Sequence, residues 1–327
     1  MNFAVWITSA CNMKCKYCYV DEKKGPHSFL DEDIPQLIQF MKENINVGEK
    51  VQISFFGGEP LLNFKGIQRI IDFISEKKPF QAEFYLTTNG LLITETIAKY
   101  FAQKEVFVSL SWDGCEKAND MNRIDGKGDG TYHRIQKAYQ LLKSCGLDNV
   151  RVRATLNSGN LRYLADSVED FLKEDPDISV LFAPDYFDQD WSDEKLAELQ
   201  EILASFADKD LRNISILEKD YHENCTCKGG ISNFHIYVNG LLYPCSFVVN
   251  EKQFCIGDIW NGLNRKKIKV LQKNYVEPMP ECDGCDNAKY CLSYKCRYLN
   301  WSLISELNKP VPIICQFENM KWCSNKI

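Results

Sequence analysis

Three cysteines stand near the start of the chain, in Cys11-Asn12-Met13-Lys14-Cys15-Lys16-Tyr17-Cys18, a C-x3-C-x2-C spacing directly after an apolar run. Thiolates spaced in this way can hold three irons of a [4Fe–4S] cluster, whereas a closed electron-transfer cluster takes four. The incomplete set leaves one iron open to an exchangeable ligand. A zinc site missing a ligand, or unrelated buried thiols, are the competing readings, and the surrounding residues must choose among them. Ten of the fifteen cysteines lie far away, between Cys225 and Cys323, and only Cys115 and Cys145 fall between the two groups. Such crowding in a chain with a cytosolic start points to metal rather than a disulfide framework. With only four histidines, the chain favours iron–sulfur over zinc.

The strand ends supply further polar groups. Phe56-Gly57-Gly58-Glu59-Pro60 offers two glycines that let backbone approach a ligand and a carboxylate that can accept hydrogen bonds from an ammonium. Thr88-Asn89-Gly90, then Ser109-Leu110-Ser111-Trp112-Asp113-Gly114, then Asp120, Arg123, Arg153 and the stretch from Thr155 to Asn160 follow at successive turns. Each of these polar residues could equally be a loop side chain capping a helix. Asp185, Asp188 and Asp190 are spare carboxylates of the same kind.

Elements that place these residues are legible from residue 3 to about 207. Short β-branched or aromatic runs at Phe3–Ile7, Val51–Phe56, Ala82–Thr87, Val106–Ser111, Val150–Thr155 and Ile178–Phe182 alternate with helical segments near 31–44, 63–78, 94–103, 132–145, 161–174 and 193–207. Asp31 is the expected N-cap of the first helix, and Ile67, Ile70, Ile71 and Ile74 mark a core-facing stripe on the second. Six strand–helix repeats predict an α/β fold, a parallel sheet with outer helices curled as an incomplete (β/α)6 barrel. In such sheets the chemistry sits at the strands' C-terminal ends, where the cysteine loop and the glycine turn fall. Charged and polar residues over 208–224 mark a linker between a barrel of residues 1–207 and a cysteine-rich domain of 225–327.

Composition narrows the classes. A formal net charge of −6 gives no footprint for nucleic acid. No apolar run approaches the ~20 residues that cross a bilayer. The start, MNFAVWITSAC, lacks the features of a signal peptide, so the expected location is cytoplasmic.

The C-terminal array reads Cys225-Thr226-Cys227, Gly240 to Cys245, Cys282-Asp283-Gly284-Cys285, Cys291, Cys296, Cys315 and Cys323. With the N-terminal loop and the Gly-Gly-Glu-Pro turn, it resembles the radical S-adenosylmethionine (SAM) superfamily with a SPASM extension. One interval departs from that pattern, x4 instead of x3 before Cys296, and Asn119 replaces a usual histidine. The resemblance implies that SAM chelates the open iron and is cleaved to a 5′-deoxyadenosyl radical. It assigns Cys11, Cys15 and Cys18 to that cluster and Tyr17 to the adenine. It assigns Gly57, Gly58, Glu59 and Pro60 to the SAM amino group, and Ser111 to the ribose. Thr88, Asn89, Arg123 and Arg153 complete the expected contacts.

Two auxiliary Fe–S clusters, taken as [4Fe–4S], follow from the same resemblance. One would use Cys227, Cys245 and Cys296, with Cys225 as a candidate alternative or fourth ligand. The other would use Cys282, Cys285, Cys291 and Cys315, with Cys323 as the rival to Cys315. The implied activity is oxidative modification (cross-linking, oxidation or epimerisation) of a ribosomally made peptide or protein. An anaerobic sulfatase-maturating enzyme and a small-molecule SPASM dehydrogenase are the alternatives. Ser246 weighs against sulfatase maturation, because an aspartate usually follows that cysteine there. A flavodoxin- or ferredoxin-type electron donor is implied. With only ten residues before Cys11, the expectation is that a separate leader-recognition protein replaces an N-terminal wing or that the substrate is recognised directly.

Overall fold

In the computed structural model, which describes residues 1–20, 28–46, 48–217, 227–277 and 279–324, the strands form one sheet. Its parallel part is β1 (Asn2–Thr8), β2 (Val51–Gly57), β3 (Ala82–Thr88), β4 (Phe107–Ser111), β5 (Val150–Leu156), β6 (Ser179–Pro184) and β7 (Ile214–Ile216). They pair in chain order. Helices α1 (Ile34–Glu43), α2 (Phe64–Lys77), α3 (Glu95–Gln103), α4 (Glu116–Asp120), α5 (Tyr132–Ser144), α6 (Leu164–Glu174) and α7 (Asp193–Ala204) lie between them. β7 and the far end of the sheet are edges that never meet, so the barrel is partial.

The burial pattern explains the curl. Along β2 to β5 every second residue is buried against the helices, and the alternate ones are partly open on the inner face. The four isoleucines of α2 are each at most 3% exposed, and burying each contributes about 1.5–3 kcal/mol. β1 differs: Phe3 to Thr8 are buried without alternation. Its second face is covered by the cysteine-rich part, where Trp6 packs in one cluster with Tyr237, Val238 and Tyr243; along its edge away from β2 it pairs in parallel with β8 (Asn233–Ile236).

From β8 the sheet continues antiparallel through β9 (Leu241–Tyr243), β10 (Gly257–Asp258) and β11 (Gly262–Leu263). Helices α8 (Arg265–Val276), α9 (Leu292–Lys295), α10 (Arg297–Ile304) and α11 (Pro312–Ser324) complete the cysteine-rich part.

Three expectations change. Residues 214–216, assigned to a linker, are the seventh strand, too short to leave a period of its own. α4, one turn long, escapes the pattern for the same reason. Asp31 does not cap α1; it opens a 3-10 turn over Asp31–Asp33 and pairs with Arg69 instead.

The glycine turn after β2 touches protein backbone. A Cβ on Gly57 would stand 2.0 Å from the Thr8 carbonyl oxygen, and one on Gly58 would stand 2.3 Å from that of Ala10. Gly58 N donates to Thr8 O at 3.0 Å and Glu59 N to Ala10 O at 2.8 Å. The turn therefore clamps the exit of β1, two residues before Cys11. We expect Gly58→Ala to lose at least about 2 kcal/mol in anaerobic denaturant unfolding, because two backbones must separate. Gly126→Ala, whose Cβ meets nothing nearer than 3.9 Å, should stay within about 0.5 kcal/mol of the parent. Equal losses at the two positions would contradict the clamp.

Candidate active site

The Cys11–Cys18 loop leaves β1 and is held to the segment after α4 by main-chain bonds. Lys14 N donates to Ile124 O, Lys16 N to Asn122 O, and Gly126 N to Asn12 O. Tyr17 is fastened from below. Its hydroxyl donates to Asp113 Oδ2, and the Arg123 guanidinium lies 5.3 Å from the centre of its ring. Asp113 is 2% exposed and also pairs through Oδ1 with Arg123 Nε at 2.9 Å, at an angle too bent for a hydrogen bond. The same oxygen accepts from Thr155 N at the end of β5, at 2.8 Å. Burial pushes the Asp113 carboxyl up, against the pull of Arg123. Arg123, expected as a cofactor contact, is thus committed to this buried network. Tyr17, expected at the adenine, turns its hydroxyl inward.

Glu59 makes the corresponding link on the other side. Its Oε1 accepts from Thr88 Oγ1 at 2.6 Å and Leu61 N at 3.1 Å, and its Oε2 from Asn89 N at 2.7 Å. Asn89 Nδ2 in turn donates to Asn12 Oδ1 at 2.7 Å. The glycine turn, the end of β3 and the cysteine loop are thereby one hydrogen-bonded unit. Glu59 is 1% exposed; burial raises its pKa to about 7, outweighing three donors that favour the anion. Pro60 is buried in the 3-10 turn that follows.

Ser111 and Arg153 are register partners on the inner, partly open face of β4 and β5. Asn119 and Asp120 support the loop: Asp113 N donates to Asn119 Oδ1 at 3.2 Å, and Asp120 Oδ1 accepts from Thr131 N and Tyr132 N at 2.8 Å each, at the start of α5. At the end of β6, Asp188 takes Ser158 N and Asp190 N, so it is a turn former. Asp185 is half-buried and accepts from Phe187 N.

The thiols fall into groups. Cys11, Cys15 and Cys18 act on one another electrostatically, and burial pushes Cys11 up to about 12 and Cys15 to about 11. Three mutually repelling thiols in such surroundings fit a bound cationic cluster, because ligation stabilises the thiolate form that burial disfavours. Arg123, coupled to Cys15, adds positive charge there. Among the described residues no three His, Cys, Asp or Glu side chains converge as a single-ion site requires.

Cys315 is coupled to Cys282, Cys285 and Cys291. Cys245, pushed up to about 12 by burial, is coupled to Cys227, and both pack on the cluster that contains Trp6 of β1. Cys296, at the junction of α9 and α10, packs with Leu292 and Val311 in a neighbouring cluster instead. Cys225 and the side chain of Cys323 lie outside the described residues.

Between the residues that follow Cys18 and Cys245 is a cavity of about 230 Å³ whose walls include Tyr19, Phe187, Ser246, Phe247, Glu251 and Trp301. Tyr19 and Ser246 stand together on this wall, and the Tyr19 ring stacks against Phe187, with centroids 6.3 Å apart. Neither this wall nor Asp113 was legible as functional. Asp113 lay in the noted Ser-Trp-Asp-Gly run, and Tyr19 directly follows the third cysteine; position in those motifs was the available signal. For Glu59 the linkage sign follows from its raised pKa: its neutral form stabilises the fold at low pH, and that contribution is lost as pH rises from about 4.5 through about 7. Anaerobic unfolding should show the loss as a few kcal/mol, and Glu59→Gln should flatten it; an unchanged slope would contradict it.

The family model described as the radical SAM superfamily matches residues 6–174. An uncharacterised protein of Methanocaldococcus jannaschii is 30% identical over 164 residues, which is 50% of this chain and 55% of that protein. A cysteine-type anaerobic sulfatase-maturating enzyme of Clostridium perfringens strain 13 is 24% identical over 324 residues, 87% of this chain and 85% of that enzyme. A solved structure of anSMEcpe with bound AdoMet and the Cp18Cys peptide superposes with a TM-score of 0.80 at 22% identity, covering 98% of this chain and 94% of that one; at this identity the likeness is one of fold. The span matched by the family model contains the cysteine loop, the glycine turn and the strand-end network, and it covers more than half of the 327 residues, so the chain belongs to the radical SAM superfamily.

Proposed function

We propose that this chain is an oxidative modifying enzyme acting on a peptide or protein side chain. The observation that carries it is the cavity between Tyr19, next to Cys18, and Ser246, next to Cys245. A group held there lies between the site of radical formation and a second set of thiols able to hold an electron acceptor. At about 230 Å³ it is smaller than the roughly 300–1,000 Å³ that houses whole small-molecule ligands, which favours one side chain of a larger substrate. Bound SAM, with an electron donor of the flavodoxin or ferredoxin kind, would supply the chemistry of hydrogen-atom abstraction from a substrate C–H bond.

The chain's own residues hold and shield. Cys11, Cys15 and Cys18 are the proposed ligands of the SAM cluster. Gly57 to Pro60, with Thr88 and Asn89, set the wall beside it. Ser111 and Arg153 offer a hydroxyl and a cation on the inner face for the ribose and carboxylate of SAM. Tyr17, Asp113 and Arg123 keep the loop from moving. Cys282, Cys285, Cys291 and Cys315 are the proposed ligands of one auxiliary cluster, supported by their mutual coupling. Cys227 and Cys245 are proposed for the other, with Cys296 and Cys225 as the further candidates.

Sulfatase-type maturation is the second reading, favoured by the end-to-end match to the Clostridium perfringens enzyme. Ser246, beside Tyr19 on the cavity wall in place of the aspartate that usually follows this cysteine in sulfatase maturases, argues against it. Offering a cysteine- or serine-containing sulfatase peptide and assaying formylglycine decides between the two. For the proposal itself, anaerobic incubation with SAM and dithionite should give 5′-deoxyadenosine. Cys15→Ala should reduce it to the enzyme-free background while the protein remains brown from the auxiliary clusters. Undiminished cleavage by Cys15→Ala would sink the proposal.

A further inference from the structure

The walls of the cavity have a charge pattern that selects an occupant. Tyr19, Phe187 and Phe247 form a trio of rings, with centroids 6.3, 5.7 and 6.4 Å apart, and Trp6, Tyr237 and Trp301 add further aromatic walls. Among the described residues, Glu251 is the one charged residue on the lining, and none of them there is a lysine, arginine or histidine. Among the described residues its carboxylate makes no hydrogen bond or ion pair, although the residue is half-buried. Arg153 is electrostatically coupled to Tyr19 but does not line the cavity.

Resting on the reading of the chain as a peptide-modifying enzyme, we propose that this cavity binds the cationic side chain of a lysine in the substrate. Ring faces carry negative potential and attract an ammonium, most strongly where water is displaced. The methylene stem suits the aromatic walls, as long cationic side chains lay their stems along apolar surface. At the polar wall the ammonium meets Glu251 and the hydroxyl of Ser246, so the carboxylate gains a partner as the site closes. A neutral aliphatic occupant of the same length would desolvate Glu251 and leave it unpaired, at a cost in affinity. An anionic occupant would meet both the carboxylate and the ring faces. The pattern thus discriminates by charge at nearly constant shape, which is the stronger form of discrimination in a small pocket.

The test uses the full chain with clusters reconstituted and SAM present, under anaerobic conditions. Three acetylated, amidated tripeptides, Gly-X-Gly with X lysine, norleucine or glutamate, are titrated calorimetrically into the parent, Glu251→Gln and Phe247→Leu. Cluster absorbance and the thermal midpoint establish that each variant is folded. The lysine peptide should bind about tenfold tighter than the norleucine peptide, with the glutamate peptide weakest. Glu251→Gln should remove most of that preference, and Phe247→Leu should weaken lysine binding more than norleucine binding. Equal binding of lysine and norleucine peptides to the parent, binding of none of the three, or a preference unchanged in both variants would each overturn the proposal.

The same samples, assayed with dithionite for 5′-deoxyadenosine and for a change in peptide mass, separate the two claims. Charge-selective binding without turnover of any peptide would keep the cavity assignment and remove the peptide-modifying reading. Modification of other peptides without lysine preference would do the reverse.

Discussion

A single buried carboxylate at the end of β4 governs how the cysteine loop can lie. Asp113 receives the hydroxyl of Tyr17 from the loop, the guanidinium of Arg123 from beyond α4 and the main-chain N–H of Thr155 from β5. A charge in that position is expensive unless every lone pair is used, and breaking a buried pair costs far more than forming one gains. The network is consequently all or nothing, and it fixes the register of the loop relative to the sheet. On the opposite side Glu59 repeats the device, with Thr88 and Asn89 as its partners. The cysteine loop is suspended between two buried carboxylates, neither of which faces solvent.

This arrangement recasts the strand-end motifs. Gly57 and Gly58 read naturally as positions where a ligand approaches the backbone, yet the atoms that exclude a Cβ belong to Thr8 and Ala10. Arg123 read as a cofactor contact, yet its charge is occupied by Asp113. Both motifs make the first two strands and the cysteine loop a rigid cradle. Preorganisation of this kind matters where a reactive radical must meet one C–H bond and no other, since a small misplacement is costly.

Much of this was legible in the sequence. The alternation of apolar runs with amphipathic segments gave six of the eight parallel strands, because each long strand and helix leaves a period of its own. Ile214–Ile216 and α4 escaped, being too short to show one. The grouping of Cys282, Cys285, Cys291 and Cys315 was what the family resemblance implied, and in the structure Cys315 acts electrostatically on the other three. The cavity did not show itself, because Tyr19, Phe187, Phe247 and Trp301 come from four distant stretches and become a wall only when the sheet is assembled. The pairing of β8 with β1 was hidden for the same reason, and so was the packing of Trp6 against Tyr237 and Tyr243 that covers the second face of β1.

That pairing has a consequence for the life of the molecule before it is an enzyme. Asn2 meets Asn233 and Val5 meets Ile236, so one edge of the first strand made waits for a partner that leaves the ribosome last among the sheet's parallel strands. At synthesis rates of about 5–20 residues per second, the delay is roughly ten seconds to most of a minute. Throughout it, an apolar edge with unsatisfied N–H and C=O groups lies open beside three reactive thiols, a surface prone to pair with other chains. The newborn protein therefore depends on something to cover that edge until β8 arrives.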